Sequence, residues 1–332
     1  MMSLFSFQGL AWQDRWKLFS HVEQIWEQAQ TLPTDLENRT AHEWLAATGQ
    51  SVQARERIWG PLARWLTGND LARLSAATFV QMLSTIFLSD ASDARLTSVS
   101  GSVEQRLMTP IKQALCYDAM TLRTLTARPH LHFGENGLRD IRLQDGTTLQ
   151  AQWYVFALSP HQLRVLLPDR LLTRYAYFAH VTELKDLDGL VVQLTCRAAS
   201  SDPRLVLLTG HPFHQLTVAP LGTGEISYRF SALADLLADL NTDQLVDAAI
   251  AELSRMFPTI ALQNILAREI IHAHHAALSL APGTARLRPL PQSPLKNVLV
   301  AGAWTDTGWP ANLESALVSA RRCAEIVTGP SA

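Results

Sequence analysis

Apolar residues recur at two different periods along this chain, and the change of period divides it. Up to about residue 115 the spacing is helical. Trp12, Trp16, Phe19, Val22 and Trp26 fall on one stripe, which stops before Pro33. Thr40-Ala41-His42-Glu43 reads as a capping box opening a short helix that Gly49 closes. The segment 75–88 is almost uniformly apolar and reads as a buried helix. From about residue 120 the pattern becomes strand-like. Segments 121–126 and 138–143 read as strands, and Asp145-Gly146 as a turn between LRDIRL and TTLQAQ. The run 153–158 (WYVFAL) is a continuous apolar strand, followed by Ser159-Pro160 and a helix over 161–167. Short strands LVVQLTC, RLVLLT, HQLTVAP and EISYRF fill 190–230. An amphipathic helix then runs over 241–257, with Asn241 as N-cap, Gln244 three residues on and Pro258 as its stop; a strand over 265–272 follows.

The last elements are the most informative. NVLVAG, at 297–302, reads as a buried strand ending in glycine. Leu313, Ala316, Leu317, Ala320, Ala324 and Val327 then mark one face of a helix over 312–327, with Pro310 near its first turn. The connection is a tight loop rich in Gly and Trp that leads to an exposed helix N-terminus. Such a terminus presents unpaired N–H groups and partial positive charge, which suits an anion or a polarised carbonyl.

Composition narrows the class. The 332 residues are 47% hydrophobic, enough for one large or two medium domains with a sizeable core. Charge is nearly balanced, with 28 Lys+Arg against 30 Asp+Glu, and no basic run interleaves with aromatics, so nucleic acid is not expected as a partner. Cys116, Cys196 and Cys323 are far apart and form neither a zinc nor a disulfide pattern, which points to a reducing cytosol. The start, MMSLFSFQGLAWQDRW, lacks the features of a signal peptide, and no apolar stretch reaches membrane-spanning length. A cytoplasmic protein, or one peripheral to a membrane, is expected.

The segment AGAWTDTGWPANLESALVSARR, from Ala301 to Arg322, resembles the C-terminal flavin-contacting motif of the amine oxidase and phytoene desaturase superfamily of FAD enzymes. It is most similar to the hydroxysqualene dehydroxylases, where a strand, a Gly-Asp-Trp-Thr run, a Gly-Trp-Pro turn and a Glu-Ser-Ala helix follow in this order. Here those elements are 298–302, Trp304-Thr305-Asp306-Thr307-Gly308, Trp309-Pro310 and Glu314-Ser315-Ala316. TAHEWLAATGQ resembles the family's helix-opening segment. The DG-containing hairpin, apolar strand and proline around 145–160 resemble part of its central sheet.

The resemblance implies an α/β fold of the mixed α+β kind. An incomplete FAD-binding domain of amine oxidase type would accompany a substrate domain with a mixed sheet and a helical N-terminal region. The segments would be 1–115 for the helical part of the substrate domain and 116–170 for the centre of the FAD-binding domain. The substrate-domain sheet and helices would be 171–285, and the last strand and helix of the FAD-binding domain 286–332. It also implies FAD as cofactor, contacted by Gly302, Ala303, Trp304, Thr305, Gly308, Trp309, Pro310, Asn312, Leu313 and Glu314. The substrate would be a long isoprenoid in a tunnel covered by the tryptophan-rich helical half, and the chemistry reductive dehydroxylation on the way to squalene and hopanoids. Plain core packing is the simpler reading of those tryptophans. Asp306, on a loop facing the flavin edge, is the candidate proton donor to a departing hydroxyl. Glu314 needs no catalytic role, since a carboxylate is favourable in a first helical turn.

Two departures qualify the expectation. The family's G-x-G-x-x-G unit is missing; Gly222-Thr223-Gly224 follows a proline and leads into a strand, so it reads as a hairpin turn. The family's aspartate is Ala303 here, and its helical Ser-Gly is Ser319-Ala320. Loss of one such polar contact costs about 1–3 kcal/mol, or about one to two decades of affinity. Alone, the chain is expected to bind FAD weakly or not at all. Three readings follow: a split enzyme completed by a separate N-terminal FAD-binding polypeptide, a truncated reading frame, or a cofactor-free isoprenoid-binding or scaffolding paralogue. His272, His274 and His275 form no metal set by sequence, since no acidic or cysteine ligand stands beside them, and read as an exposed strand end. No hydrolase or NTPase motif is present.

Overall fold

The computed structural model describes residues 9–30, 35–88, 104–117, 121–197, 204–210, 212–221 and 224–329. Its first third is helical: α1 (Trp12–Gln30), α2 (Ala41–Ala47), α3 (Gly60–Thr67), α4 (Ala76–Leu83) and α5 (Thr109–Tyr117). The capping box of α2 forms as its sequence predicts, Glu43 N–H donating to the Thr40 hydroxyl at 3.2 Å and Thr40 N–H to the Glu43 carboxylate at 2.9 Å. Phe79, Val80, Met82 and Leu83 of α4 are buried. Trp44 and Trp59 pack edge-on against Phe79, with ring centroids 6.5 and 6.0 Å away, so these two indoles are core. The two described members of the stripe read on α1 are not buried. Trp12 and Trp16 are 63% and 59% exposed, and the face turned inward carries Leu18, His21 and Ile25. Both stripes have helical spacing, and periodicity alone cannot choose between them. The side chains of Phe19, Val22 and Trp26, together with Pro33, lie outside the described residues.

Next come β1 (His130–Phe133), β2 (Leu138–Arg142), β3 (Thr148–Leu149) and β4 (Tyr154–Phe156). β1, β2 and β3 make a small antiparallel sheet, with the Asp145 carboxylate accepting from Thr147 N–H at 2.8 Å in the turn. Segment 121–126, read as a strand, carries no ladder; the strand forms after Pro129 instead, where β2 supplies a partner. Three helices follow, α6 (Pro160–Leu166), α7 (Asp169–Arg174) and α8 (Ala176–Glu183).

Then come β5 (Asp186–Arg197), β6 (Arg204–Leu207), β7 (Gln215–Pro220), β8 (Glu225–Leu233), α9 (Thr242–Met256) and β9 (Ile265–Leu278). These strands form a five-stranded sheet in the order β6-β7-β8-β5-β9. The sheet was expected to be mixed, and it is antiparallel throughout. Short connections through β6, β7 and β8 reverse the chain each time, as hairpin pairing requires. Gly222 and Thr223 lie outside the described residues, but Leu221 N–H donates to Glu225 O at 2.9 Å across that β7–β8 turn.

The chain closes with β10 (Val298–Val300), wholly buried and parallel to β4, and with α10 (Leu313–Thr328). Among the described residues, two large hydrophobic cores result, with a small third cluster of Leu299, Ala301 and Cys323. One joins the N-terminal helices to β4, β10, α6 and α8, with Phe79, Phe156, Phe178 and Trp304 among its members. The other lies between the five-stranded sheet and α9, around Tyr228, Phe230 and Leu253. Cys196 and Cys323 are free and buried, and the Cys116 side chain lies outside the described residues. Among the described residues, no helix is long and apolar enough to cross a membrane.

Candidate functional site

The strand–loop–helix of the C-terminus is shaped by its backbone. Gly302 leaves β10 with φ +155, and a Cβ there would come within 2.6 Å of the Trp304 ring nitrogen, so only glycine fits. The Trp304 indole N–H donates to Leu158 O at 2.8 Å, which ties the loop to the segment after β4. Arg288 gathers the rest. Its guanidinium donates to the carbonyls of Ala303 at 3.0 Å, Thr305 at 2.6 Å and Trp309 at 2.7 Å, and reaches Trp304 O at 3.3 Å. Burial draws the Arg288 pKa down, and the charge of Asp306 acts in the opposite direction. No motif marks Arg288; the signal that could have found it is a loop too short to pair its own carbonyls.

The face that α10 turns inward is polar. Ser315, Ser319 and Cys323 are buried at i, i+4 and i+8, whereas Leu313, Leu317 and Val327 are 64%, 57% and 41% exposed. The apolar spacing marks the adjoining side of the helix, whose Ala316 and Ala320 reach a cavity while its large side chains point outward. The reason lies in what the helix meets, a loop of backbone groups that need partners. The Ser319 hydroxyl accepts from Gly302 N–H at 3.1 Å, and the Ser315 hydroxyl donates to Ala303 O at 2.8 Å. Pro310 stands two residues before the N-cap rather than inside the first turn. The cap is Asn312, whose side chain accepts from Ser315 N–H at 3.0 Å.

Beside this motif lies a cavity of about 410 Å³. Gly302, Ala303 and Trp304 line one side of it, Ala311, Ala316 and Ala320 a second, and Ala157 to Pro160 a third. Ala276 to Leu278 of β9 close the remainder. Among the described residues, its ionisable lining residues are Asp186 and His275, and no Lys or Arg lines it. Small, apolar walls on several sides suit a flat ring system. A pyrophosphate needs cations or converging N–H groups, and the described lining carries no Lys or Arg. The residues present therefore fit the ring half of a flavin better than its pyrophosphate.

Of the residues read as cofactor contacts, Gly302, Ala303 and Trp304 reach the cavity. Thr305 is fully buried beneath the loop, its hydroxyl 2.8 Å from that of Ser319. Gly308 is exposed, and its carbonyl accepts from the Gln81 amide of α4 at 2.9 Å. The Trp309 and Pro310 backbones brace the loop, Trp309 through Arg288 and Pro310 through Asn312 N–H at 2.8 Å. Leu313 and Glu314 are exposed in the first turn of α10. The Asp306 side chain is exposed and does not line the cavity; its backbone pairs with Pro289 O at 2.9 Å and with Arg322 at 2.7 Å.

The histidine-rich strand end is not without acidic neighbours. Asp186 and Asp188 of β5 reach His275 and His274 at 3.0 and 3.2 Å. The pairing carries no sequence signal, because the partners are nearly 90 residues apart. Among the described residues there is no group that could hold a metal ion.

The profile of flavin containing amine oxidoreductases matches residues 3–328. A 15-cis-phytoene desaturase from an Oncidium hybrid cultivar is 21% identical over 334 residues, covering 96% of this chain and 57% of its own length. A zeta-carotene desaturase from Synechocystis is 22% identical over 332 residues, covering 88% and 66%. The chain thus spans between half and two thirds of the length of such relatives. Among solved structures, an oxidoreductase from Methanosarcina mazei superposes with a TM-score of 0.72 at 13% identity, over 95% of this chain and 73% of the other. A putrescine oxidase bound to putrescine gives 0.70 at 13% identity, over 97% and 77%. The mixed helix-and-sheet fold is that of the FAD-dependent amine oxidases, and the chain belongs to the flavin containing amine oxidoreductase family.

Proposed function

We propose that this chain supplies the substrate-binding and carboxyl-terminal flavin-contacting parts of an FAD-dependent oxidoreductase of isoprenoid metabolism, close in activity to the hydroxysqualene dehydroxylases. The observation that supports it is the small-residue cavity beside Gly302, Ala303 and Trp304, matched to a ring system and, among the described residues, lined by no Lys or Arg. Bound flavin would supply two-electron chemistry, as it does generally. This chain's own part is to wall the ring with Trp304 and the alanines of α10, and to exclude water from it. The nucleotide half of FAD is held, in this reading, by a separate polypeptide carrying the dinucleotide-binding unit. The complex works in the cytosol on a long isoprenoid alcohol met at a membrane surface.

Flavin absorbance of the purified protein tests this directly, taken alone and with a candidate partner. The expected result is little or no bound FAD alone and stoichiometric FAD in the complex. Stoichiometric, tightly held FAD in the isolated chain would overturn the split-site reading, and no flavin under either condition would overturn the enzyme reading.

One observation favours a second reading. Ala303 faces the cavity with a methyl group where the resemblance leads one to expect a carboxylate. A cofactor-free isoprenoid-binding or scaffolding paralogue has no need of that acceptor. Isoprenoid binding without flavin binding, partner present, is the result that would select it.

A further inference from the structure

The cavity has one chemically active wall, and it lies outside the C-terminal motif. At the end of the five-stranded sheet, pairing skips from Leu187–Ala277 to Gly189–Ala273, so Asp188 stands opposite His274, His275 and Ala276. A bulge of this kind re-aims side chains. Here it turns His275 out of the ladder with φ 55, a left-handed conformation uncommon outside glycine. The Asp188 carboxylate accepts from the His275 backbone N–H at 2.8 Å and holds that turn. This bond, with the His274 contact, keeps the Asp188 carboxyl below the usual carboxylate range.

The His275 ring is then fixed from two sides. Its Nδ1 lies 3.0 Å from Asp186 Oδ2, whose side chain is 9% exposed. His161, second residue of α6, stacks on it with centroids 4.3 Å apart and planes 21° from parallel. A carboxylate on Nδ1 selects the tautomer that carries its hydrogen there and leaves the Nε2 lone pair for a ligand. The same two side chains also line a second, open hollow of about 690 Å³, with Arg164, Lys185 and Asp235 on its rim. The pair therefore stands between an apolar cavity and a charged, solvent-facing one.

We infer that Asp186 and His275 form a proton-exchange pair serving an apolar, hydroxyl-bearing molecule in the 410 Å³ cavity. The inference rests on the second reading above, in which an isoprenoid alcohol and not a flavin ring occupies this cavity. In the step, the ligand's O–H bond breaks, its electron pair stays on oxygen, and the proton passes to His275 Nε2. The imidazolium remains paired with the Asp186 carboxylate and returns its proton toward the outer hollow. No oxidant enters the step. Asp306 has no part in it.

2-Naphthol is a suitable probe, because it becomes a strong acid when excited and reports proton transfer by naphtholate emission; naphthalene is the same shape without the hydroxyl. In the wild-type chain, bound 2-naphthol should show naphtholate emission. Normalised to occupancy, measured by naphthalene binding to the same variant, His275→Gln should reduce it about tenfold or more and Asp186→Asn should reduce it less. Equal emission in wild type and His275→Gln overturns the inference, as does failure of both probes to bind. Side-chain ¹⁵N shifts of His275 in the wild-type protein give a test that needs no variant: a tautomer with its hydrogen on Nε2 overturns the inference even if the substitutions unfold the chain. The flavin measurement is separate, so absent FAD with retained naphtholate emission removes only the enzyme reading.

Discussion

Arg288 shows how much a single residue carries at this site. It donates to four loop carbonyls and approaches the Ser315 hydroxyl at 3.3 Å. Lysine cannot reproduce a planar fork of donors. Arg288→Lys should therefore cost roughly 2–4 kcal/mol in urea unfolding, since several carbonyls lose their donor at once, and it should alter Trp304 fluorescence. A loss below about 0.5 kcal/mol, the range of ordinary surface changes, would mean that the loop holds itself. His214 is a second such residue. Burial, with the charge of Arg64 nearby, brings its pKa down from 6.5 to about 4, and its Nδ1 is buried without a hydrogen-bond partner. As pH falls, the unfolded chain takes up this proton first. Stability from His214 is complete above about pH 6.5, declines as pH falls, and is gone below about 4. After allowance for solvent screening the effect should be about 1–2 kcal/mol. Comparing wild type with His214→Gln at pH 4.5 and 7 checks it, and parallel pH profiles would refute it. The caps and turn glycines were legible in sequence because each acts on its nearest neighbours. Arg288 and Asp186 act across distance in the chain, and no local pattern records that.

At the level of elements, most of the secondary structure follows from spacing and caps, as Asn241 and Gln244 show by closing the capping box of α9 at 3.0 Å in both directions. What spacing could not give was orientation. On both α1 and α10 large apolar side chains of the marked stripe face outward, Trp12 and Trp16 on the first and Leu313, Leu317 and Val327 on the second, for different reasons. α1 offers two stripes of equal periodicity, whereas α10 meets a loop of backbone polar groups that apolar side chains cannot satisfy. This makes an unusual forecast for α10. Ser319→Ala removes the acceptor of Gly302 N–H and should destabilise by about 1–3 kcal/mol. Leu317→Ala deletes a larger but 57% exposed side chain and should stay within about 0.5 kcal/mol of wild type. Urea midpoints of the two variants decide the matter, and the reverse order would show that α10 buries its apolar face in solution.

The whole molecule raises the question of how its two cores act as one. One joint between them is a buried side chain. Asn69, fully buried after α3, donates to Leu278 O at 3.0 Å and to Thr67 O at 2.8 Å, and its side-chain oxygen accepts from Leu280 N–H at 2.9 Å. It thus grips the end of β9, the strand that belongs to the sheet core along its length and enters the helical core at Leu278. Two residues further back in β9 from Leu278 is Ala276, on the wall of the cavity, so the same grip fixes the bulge that presents His275. Nothing in the sequence announces this, because the partners lie more than 200 residues apart. Asn69→Ala leaves buried backbone groups without partners and should cost about 2–4 kcal/mol. The more telling effect is on cooperativity. With this joint weakened, links such as Ser75 N–H to Leu280 O at 2.8 Å and the Arg73–Asp235 pair remain. If Asn69 is the decisive one, tryptophan fluorescence, which reports Trp44 and Trp59 in the helical core, should separate from far-ultraviolet circular dichroism during urea unfolding. In the wild type the two signals should coincide. Coincident transitions in Asn69→Ala, merely shifted to lower urea, would show that the cores are coupled through their packed surfaces and that Asn69 only adds to their stability.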